Sequence, residues 1–443
     1  MNDLATPSYQ PKGFIKSYAW FLFRCFRLSF VGDWKYFLWM FILSVVALFG
    51  LNAYAKQFVQ GLATTGMTDQ VSWGLYIANF TYLVGIAAAA VMLVIPVYIY
   101  KNKDLHNLVI FGELLAVVAI IMCLLFIAVD LGRPDRFHHM LLRFNFPISI
   151  LTWDVIALNG YLLLNIWITG YLIWCAYNKR TPTKKFYIPF VFIAIAWAIS
   201  IHTVTAFLYS GLGARPFWNS AVIAPRFLAS AFAAGPALII LTLQVIKAGT
   251  GYHVSEKAIS TLKGIITVAL GINMFLLGSE VFTEFYTGTS HSVSAKYLFF
   301  GLHGHYALVP WIWSAVALNM FALIVLFTPA GRKRWLLNAA CVAMIIGIWI
   351  EKGMGLIVPA FIPSPLGEIV EYVPTLNEVL VCTGIWAFGM LIYTILIRVT
   401  IPVLYGDLLV DKVYHTDPTV YANKTNESSQ TSLLNEAASA SPK

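Results

Sequence analysis

The hydrophobic positions of this chain come in long blocks. Between about residues 36 and 400, apolar runs of some twenty residues or more alternate with short polar stretches. A half-buried strand would alternate over about four to eight residues, and a soluble amphipathic helix would carry a polar face. These blocks do neither, being dense in Leu, Ile, Val, Phe and Ala on every side. A helix needs about 20 mostly apolar residues to cross the hydrocarbon core of a bilayer. Ten blocks satisfy that: 36–56, 73–100, 105–129, 149–177, 187–210, 222–247, 261–286, 299–327, 335–358 and 376–400. The pattern predicts an all-α integral membrane protein with ten transmembrane helices over residues 36–400. Residues 1–35 are basic and aromatic and lack the short apolar core and small-residue cleavage site of a signal peptide. They are expected to form a surface helix around Tyr18–Phe30, with Lys16, Arg24 and Arg27 near headgroups. Residues 401–443 read as a polar, low-complexity cytoplasmic tail, expected to be largely disordered.

Composition agrees. Of 443 residues, 59% are hydrophobic and 11% charged, with mean hydropathy +0.76. A soluble domain carries roughly 25% charged residues, so this chain lacks the polar surface to coat a water-soluble globule. The five cysteines, Cys25, Cys123, Cys175, Cys341 and Cys382, are scattered with no CxxC pair. No cysteine-bound zinc or iron–sulfur site is encoded, and they read as small apolar fillers.

The net charge of +9 would suggest nucleic acid in a soluble protein. Here it reports loop placement. Most of the 29 Lys and Arg fall at the N-terminus, in the even-numbered loops and in the C-terminal stretch. The opposite side holds only Lys56, Arg133, Arg136, Arg143, Arg215, Arg226, Lys296 and Lys352. Positively charged loops stay in the cytoplasm. Both termini are therefore expected there, in a multi-pass protein of the cytoplasmic (inner) membrane. No nucleotide fingerprint or soluble catalytic domain is present, and no nucleic-acid partner is expected.

Ionisable residues within the bilayer are costly and mark function by default. On this topology Asp130 ends span three, Asp154 begins span four, and His202 lies in span five ahead of Thr203 and Thr205. Arg226 opens span six. Glu280 and Glu284 share a face of span seven. His303 and His305 open span eight, Glu351 and Lys352 lie toward the outer end of span nine, and Glu378 opens span ten. All belong to the outer half. Only Glu113, early in span three, sits toward the cytoplasm, as a helix-end carboxylate or the inner mouth of a proton route reaching the Glu280–Glu284 face. Any one outer residue is explained by headgroup water, and Glu351 and Lys352 by a local ion pair. Their gathering on one side points to a shared polar cavity. Asp, Glu and His pass protons, and a quinone headgroup needs hydrogen-bond partners, a proton route and an apolar slot. Trp153, Phe207, Phe217, Trp218, Phe227, Phe282 and Phe285 supply apolar surface near that depth.

Three segments carry a family resemblance: Ser72-Trp73-Gly74-Leu75-Tyr76-Ile77-Ala78-Asn79, Asp130-Leu131-Gly132-Arg133-Pro134-Asp135-Arg136-Phe137-His138-His139, and the ninth loop from Phe361 to Thr375 with its Glu371-Tyr372-Val373-Pro374-Thr375. Together they resemble the NrfD/PsrC-type membrane subunits of bacterial quinone oxidoreductases. The ten-span length is similar to the long branch that includes DsrP, HmcC, QrcD and the membrane subunits of alternative complex III. The resemblance implies two four-helix bundles, spans two to five and six to nine. It implies quinone or quinol, of the menaquinone class, bound near the outer face as substrate, with no haem, metal or iron–sulfur cluster held by this chain. It also implies a ferredoxin-like iron–sulfur subunit docked on that face, further c-haem or molybdenum subunits, and electron exchange, with proton translocation as a further expectation. The loop match points to Asp130, Arg133, Arg136 and His138 or His139. The helical match points to Asp154, His202, Arg226, Glu280 and Glu284. The tandem His138-His139 leaves open which imidazole faces the site.

Three other readings compete. A secondary transporter would show inverted repeats and helices broken near the midplane, and no span reads as broken at its middle. A haem b cytochrome would need axial histidines on facing spans, for which only His202 and His303 lie at similar depth. A structural anchor for extracytoplasmic redox subunits would need no quinone at all.

Overall fold

The computed structural model describes residues 13–409 except 89, 101–104, 106–107, 251–253 and 290. Lys101, Lys103 and nearly all of the expected tail lie outside the described residues. The helices are α1 (Phe14–Leu28), α2 (Trp34–Gln60), α3 (Leu75–Ala88), α4 (Val91–Tyr98), α5 (Val109–Asp130), α6 (His138–Leu142), α7 (Ile150–Tyr177), α8 (Lys184–Ser210), α9 (Ile223–Thr250), α10 (Glu256–Thr287), α11 (His291–Phe300), α12 (Val309–Phe327), α13 (Arg334–Lys352), α14 (Met354–Ile357) and α15 (Leu376–Leu404). Among the described residues ten candidate spans result, with α3 and α4 sharing the second and α13 and α14 the ninth. The protein is an all-α, multi-pass membrane protein.

Spans two to five close into one ring: α3 packs on α5, α5 on α7, α7 on α8, and α8 back on α3. Spans six to nine repeat the pattern, α9 on α10, α10 on α12, α12 on α13, and α13 on α9. These are the two four-helix bundles. They meet mainly where α3 lies against α9, at a crossing of small residues. A Cβ on Gly85 would touch Ala231 at 3.7 Å. Without a hydrophobic drive between helices in lipid, such close backbone approach supplies the van der Waals contact that holds them. The first and last spans pair outside the bundles, with Gly50 against Gly384. Only 17% of the α2 window is buried, against 78% for α5. Large apolar side chains of α2, such as Phe41, Leu48 and Phe49, accordingly face outward, where hydrocarbon takes the place of a protein core.

Local chemistry sets several helix ends. The Asp33 carboxylate accepts from the Tyr36 N–H at 3.1 Å and starts α2. Thr375 and Glu378 form a reciprocal capping box that starts α15, satisfying two N–H groups that have no intrahelical partner. Glu378 also accepts from the Tyr372 hydroxyl at 2.7 Å and the Gly66 N–H at 2.7 Å. It locks two loops together.

Some expectations need correction. Span eight begins at Val309, not at 299. Residues 301–308 form a tight turn in which Leu302 and His305 bridge, and His303 sits exposed at φ 48°. Gly301 and Gly304 adopt positive φ there, which ends α11 and starts a new element. His303 and His305 therefore lie outside the spans, and His303 is not an axial partner on a facing helix for His202. One span is interrupted among the described residues. Span nine breaks at Gly353, whose φ −89°, ψ −100° is not helical. In span two, Pro96 lacks the N–H that would bond the Met92 carbonyl, so one hydrogen bond of α4 is missing. The last span runs to Leu404, so the first residues of 401–443 are helical. Helix α1 forms as expected but docks on the protein. Phe21, Cys25 and Leu28 are buried near Trp174 and Tyr177, and Arg24 donates to the Tyr177 hydroxyl at 2.9 Å and the Leu409 carbonyl at 2.7 Å.

Candidate functional site

Two buried polar centres lie toward the end of the molecule opposite α1, one in each bundle. Phe227 lies between them, near Tyr209 of the first and Lys352 of the second.

In the first bundle Asp154, in the first turns of α7, is fully buried. Its Oδ1 accepts from the Thr205 hydroxyl of α8 at 2.7 Å. Its Oδ2 has no hydrogen-bond partner among the described residues. His202, one turn from Thr205, is 1% exposed. Its Nδ1 lies 3.2 Å from the Ala198 carbonyl. A carbonyl accepts only, so Nδ1 carries the proton of the neutral ring and Nε2 presents a lone pair. Nε2 likewise has no partner among the described residues. The Tyr209 and Thr81 hydroxyls are bonded to each other nearby. An aromatic layer covers this end: Tyr209 lies 5.2 Å from Trp218 and 6.0 Å from both Trp73 and Phe227, and Trp218 lies 5.4 Å from Phe361. Of the aromatics singled out from sequence, Phe217, Trp218 and Phe227 are buried, while Trp153, Phe207 and Phe282 face outward.

Asp130, at the end of α5, holds a second carboxylate oxygen without a partner among the described residues. Its surroundings are tied by Gln57, which donates to the Val129 carbonyl at 2.7 Å and accepts from the Tyr76 hydroxyl at 2.6 Å.

The second centre is an ion network. Arg226 of α9 pairs with Glu280 of α10 and with Glu351 of α13, the latter at 3.0 Å. Lys352 reaches Glu351 at 3.0 Å. Both residues lie in the last turn of α13, just before the chain leaves helical geometry at Gly353. Asn273 and Asn319 donate to Glu351 Oε2 at 3.0 and 3.1 Å. Two cationic and two acidic side chains thus meet, and every element of the second bundle contributes. Lys352 also faces Phe227, with Nζ 5.9 Å from the ring centroid. Glu284 is buried one turn beyond Glu280.

The loop residues stand apart. Arg133, Arg136, His138 and His139 are all exposed. Arg133 forks onto Asp135 at 3.0 and 2.9 Å, and these hydrogen bonds hold the Asp135 carboxyl below its usual range. His138 Nδ1 lies 3.1 Å from the Asp135 carbonyl, and the two imidazoles are 4.4 Å apart. His305 pairs with Glu371 at 3.3 Å in the neighbouring loop.

Toward the other end, Glu113 is 3% exposed and accepts from the Thr169 hydroxyl at 3.0 Å. It faces the bundle interior, not headgroup water. It belongs to the first bundle, whereas Glu280 and Glu284 belong to the second. Its natural continuation is along α7. Asp154, Tyr161, Asn165 and Thr169 are all buried, and their spacing places them on one helix face.

Sequence reasoning missed Asn273, Asn319 and the centrality of Glu351 and Lys352. The signal was present: an asparagine amid an apolar span is a polar group that must find a partner. Attention to ionisable groups alone passed over it.

Comparisons with known proteins bear on this arrangement. A selenate reductase subunit of Mesobacillus selenatarsenatis is 24% identical over 405 residues, covering 82% of this chain and 93% of that protein. A putative dimethyl sulfoxide reductase membrane subunit of Halobacterium salinarum is 25% identical over 339 residues, 71% of this chain and 75% of that one. The Hdr-like menaquinol oxidoreductase integral membrane subunit of Archaeoglobus fulgidus is 23% identical over 376 residues, 82% and 92%. The family described as polysulphide reductase, NrfD, matches residues 63–360. That stretch takes in both bundles and both buried polar centres, and the chain belongs to the NrfD family.

Proposed function

We propose that this protein is the quinone-reactive membrane subunit of a respiratory redox complex. Quinone or quinol, of the menaquinone class, binds at the end of the first bundle that carries Asp154 and His202. The carrying observation is that pair: two titratable side chains, buried in an apolar and aromatic setting, each presenting an acceptor atom with no partner among the described residues. Buried polar atoms are almost always satisfied, so a ligand bearing hydroxyls fits here. The relatives named as reductase or menaquinol oxidoreductase subunits support the same reading.

Quinol supplies two electrons and two protons when bound. Thr205 fixes Asp154 so that Oδ2 is the free acceptor, and the Ala198 carbonyl fixes the His202 tautomer so that Nε2 accepts. Each residue can hold a proton from one hydroxyl. Trp73, Tyr209, Trp218 and Phe227 keep bulk water from this end. The exposed loop with Arg133, Arg136, His138 and His139 suits docking of a ferredoxin-like iron–sulfur partner, with further haem or molybdenum subunits beyond it. On the charge asymmetry this end faces outward and both termini are cytoplasmic. Glu113, Thr169, Asn165 and Tyr161 provide stepping stones for protons through the inner half of the first bundle.

Asp154→Asn and His202→Ala in the purified complex test the assignment. Both variants are expected to assemble and to lose quinol-linked turnover at least tenfold. Full turnover in both would remove them from the site.

A further inference from the structure

At the opposite end of the second bundle lies a cavity of about 460 Å³ that the redox reading does not use. It opens among the end of α9, the start of α10, the turn at 329–332 and the start of α13. Four cationic side chains line it: Lys247, Lys263, Arg332 and Arg334. One acid lines it, Glu256, which engages Arg334 at 2.5 Å and Lys247 at 3.4 Å. Lys263 and Arg332 make no ion pair among the described residues. Lys263 is half-buried, and its ammonium rests on Gly331, where a Cβ would come within 2.7 Å of Nζ. A glycine at that position lets the ammonium sit against backbone inside the cavity. The deeper wall is apolar, with Leu243, Val254 and Leu337 buried.

The orientation signal alone would scatter cations over exposed loops, as it does with Lys184 and Lys185 at the start of α8. Here cations from four elements converge on a concave space with an apolar floor. A cationic rim above apolar walls matches a phosphate on a lipid: the phosphate meets the ammonium and guanidinium groups, and the acyl chains continue along the helices. Basic pockets between transmembrane helices recognise anionic headgroups in this way.

We propose that this cavity binds the phosphate of an anionic phospholipid, cardiolipin or phosphatidylglycerol, and ties the second bundle to the leaflet on that side. The assignment is independent of the quinone reading.

The test is a lipid titration of the delipidated, purified protein followed by native mass spectrometry. The probes are cardiolipin, phosphatidylglycerol, phosphatidylcholine and inorganic phosphate. The wild type is expected to hold the two anionic lipids at least tenfold more tightly than phosphatidylcholine. Lys263→Gln with Arg332→Gln is expected to weaken cardiolipin binding roughly 30-fold, on the usual strength of two such cations. Lys184→Gln with Lys185→Gln should leave it unchanged. Ser260→Trp, which blocks the cavity and keeps every charge, should also abolish tight binding. Equal losses in both charge pairs would reduce the effect to diffuse surface charge and overturn the proposal. Unchanged binding in Ser260→Trp would move the lipid elsewhere. Inorganic phosphate binding as tightly as the lipids, with the same loss in Lys263→Gln/Arg332→Gln, would replace the lipid by a soluble phosphate.

Discussion

Arg226 is the residue whose removal should be felt most. It is 6% exposed and is the charge partner that the structure gives Glu280, while Glu351 keeps Lys352, Asn273 and Asn319 without it. Arg226→Gln would therefore strand Glu280 above all. Two unit charges about 3 Å apart attract by about 5 kcal/mol at an effective dielectric of about 20. Removing one member of a buried pair costs about 3–5 kcal/mol once desolvation of the survivor is counted. Arg226→Gln is expected to lower stability by about that amount. Adding Glu280→Gln removes the stranded charge, so the double variant should recover about 2 kcal/mol or more of it. The assay is equilibrium unfolding of the purified protein in mixed micelles, read by circular dichroism, over the full cycle of single and double variants. Strict additivity, with the double variant losing the sum of the two singles, would refute the view that these charges are held as a coupled network.

Three further outcomes follow from the geometry. A Cβ on Gly50 would lie 2.5 Å from the Gly384 Cα, so Gly50→Leu should part α2 from α15 and cost about 1–3 kcal/mol in the same unfolding assay, while Gly249→Leu, with nothing within 4 Å of its Cβ, should cost far less. Burial alone would raise the Glu371 carboxyl, but the Ala307 N–H, His305 and Tyr297 hydrogen-bond it and hold it below the usual carboxylate range; the stability this gives is present above the unfolded-state value and is lost as pH falls through the folded one, so the melting-temperature gap between wild type and Glu371→Gln should close in acid. Glu113→Gln in reconstituted vesicles should lower the charge moved per electron; unchanged charge movement with normal turnover would return Glu113 to a purely structural hydrogen bond with Thr169.

Span number and span position were legible because each transmembrane helix satisfies its own backbone and needs only length and apolarity, both local properties. The caps at Asp33 and Thr375, though not singled out from the sequence, are equally local, since each reaches only three residues along the chain. Depth followed too, which is why Asp154, His202, Arg226 and Glu280 could be singled out together. What the sequence could not decide was which of these meet. Residues at one depth on ten helices can be sorted into many sets, and helix rotation and neighbour choice fix the set. Packing put Asp154 and His202 in one bundle and Arg226, Glu280 and Glu351 in the other. It turned a local pair, Glu351 and Lys352, into the centre of a network by bringing Arg226 of α9 onto Glu351. It drew in Asn273 and Asn319, whose separation from Glu351 along the chain hides the contact. It also placed Lys263 and Arg332 around a common cavity, where charge counting alone shows only a positive loop. Each is a long-range juxtaposition set by helix-on-helix contact, a quantity that no single apolar run carries.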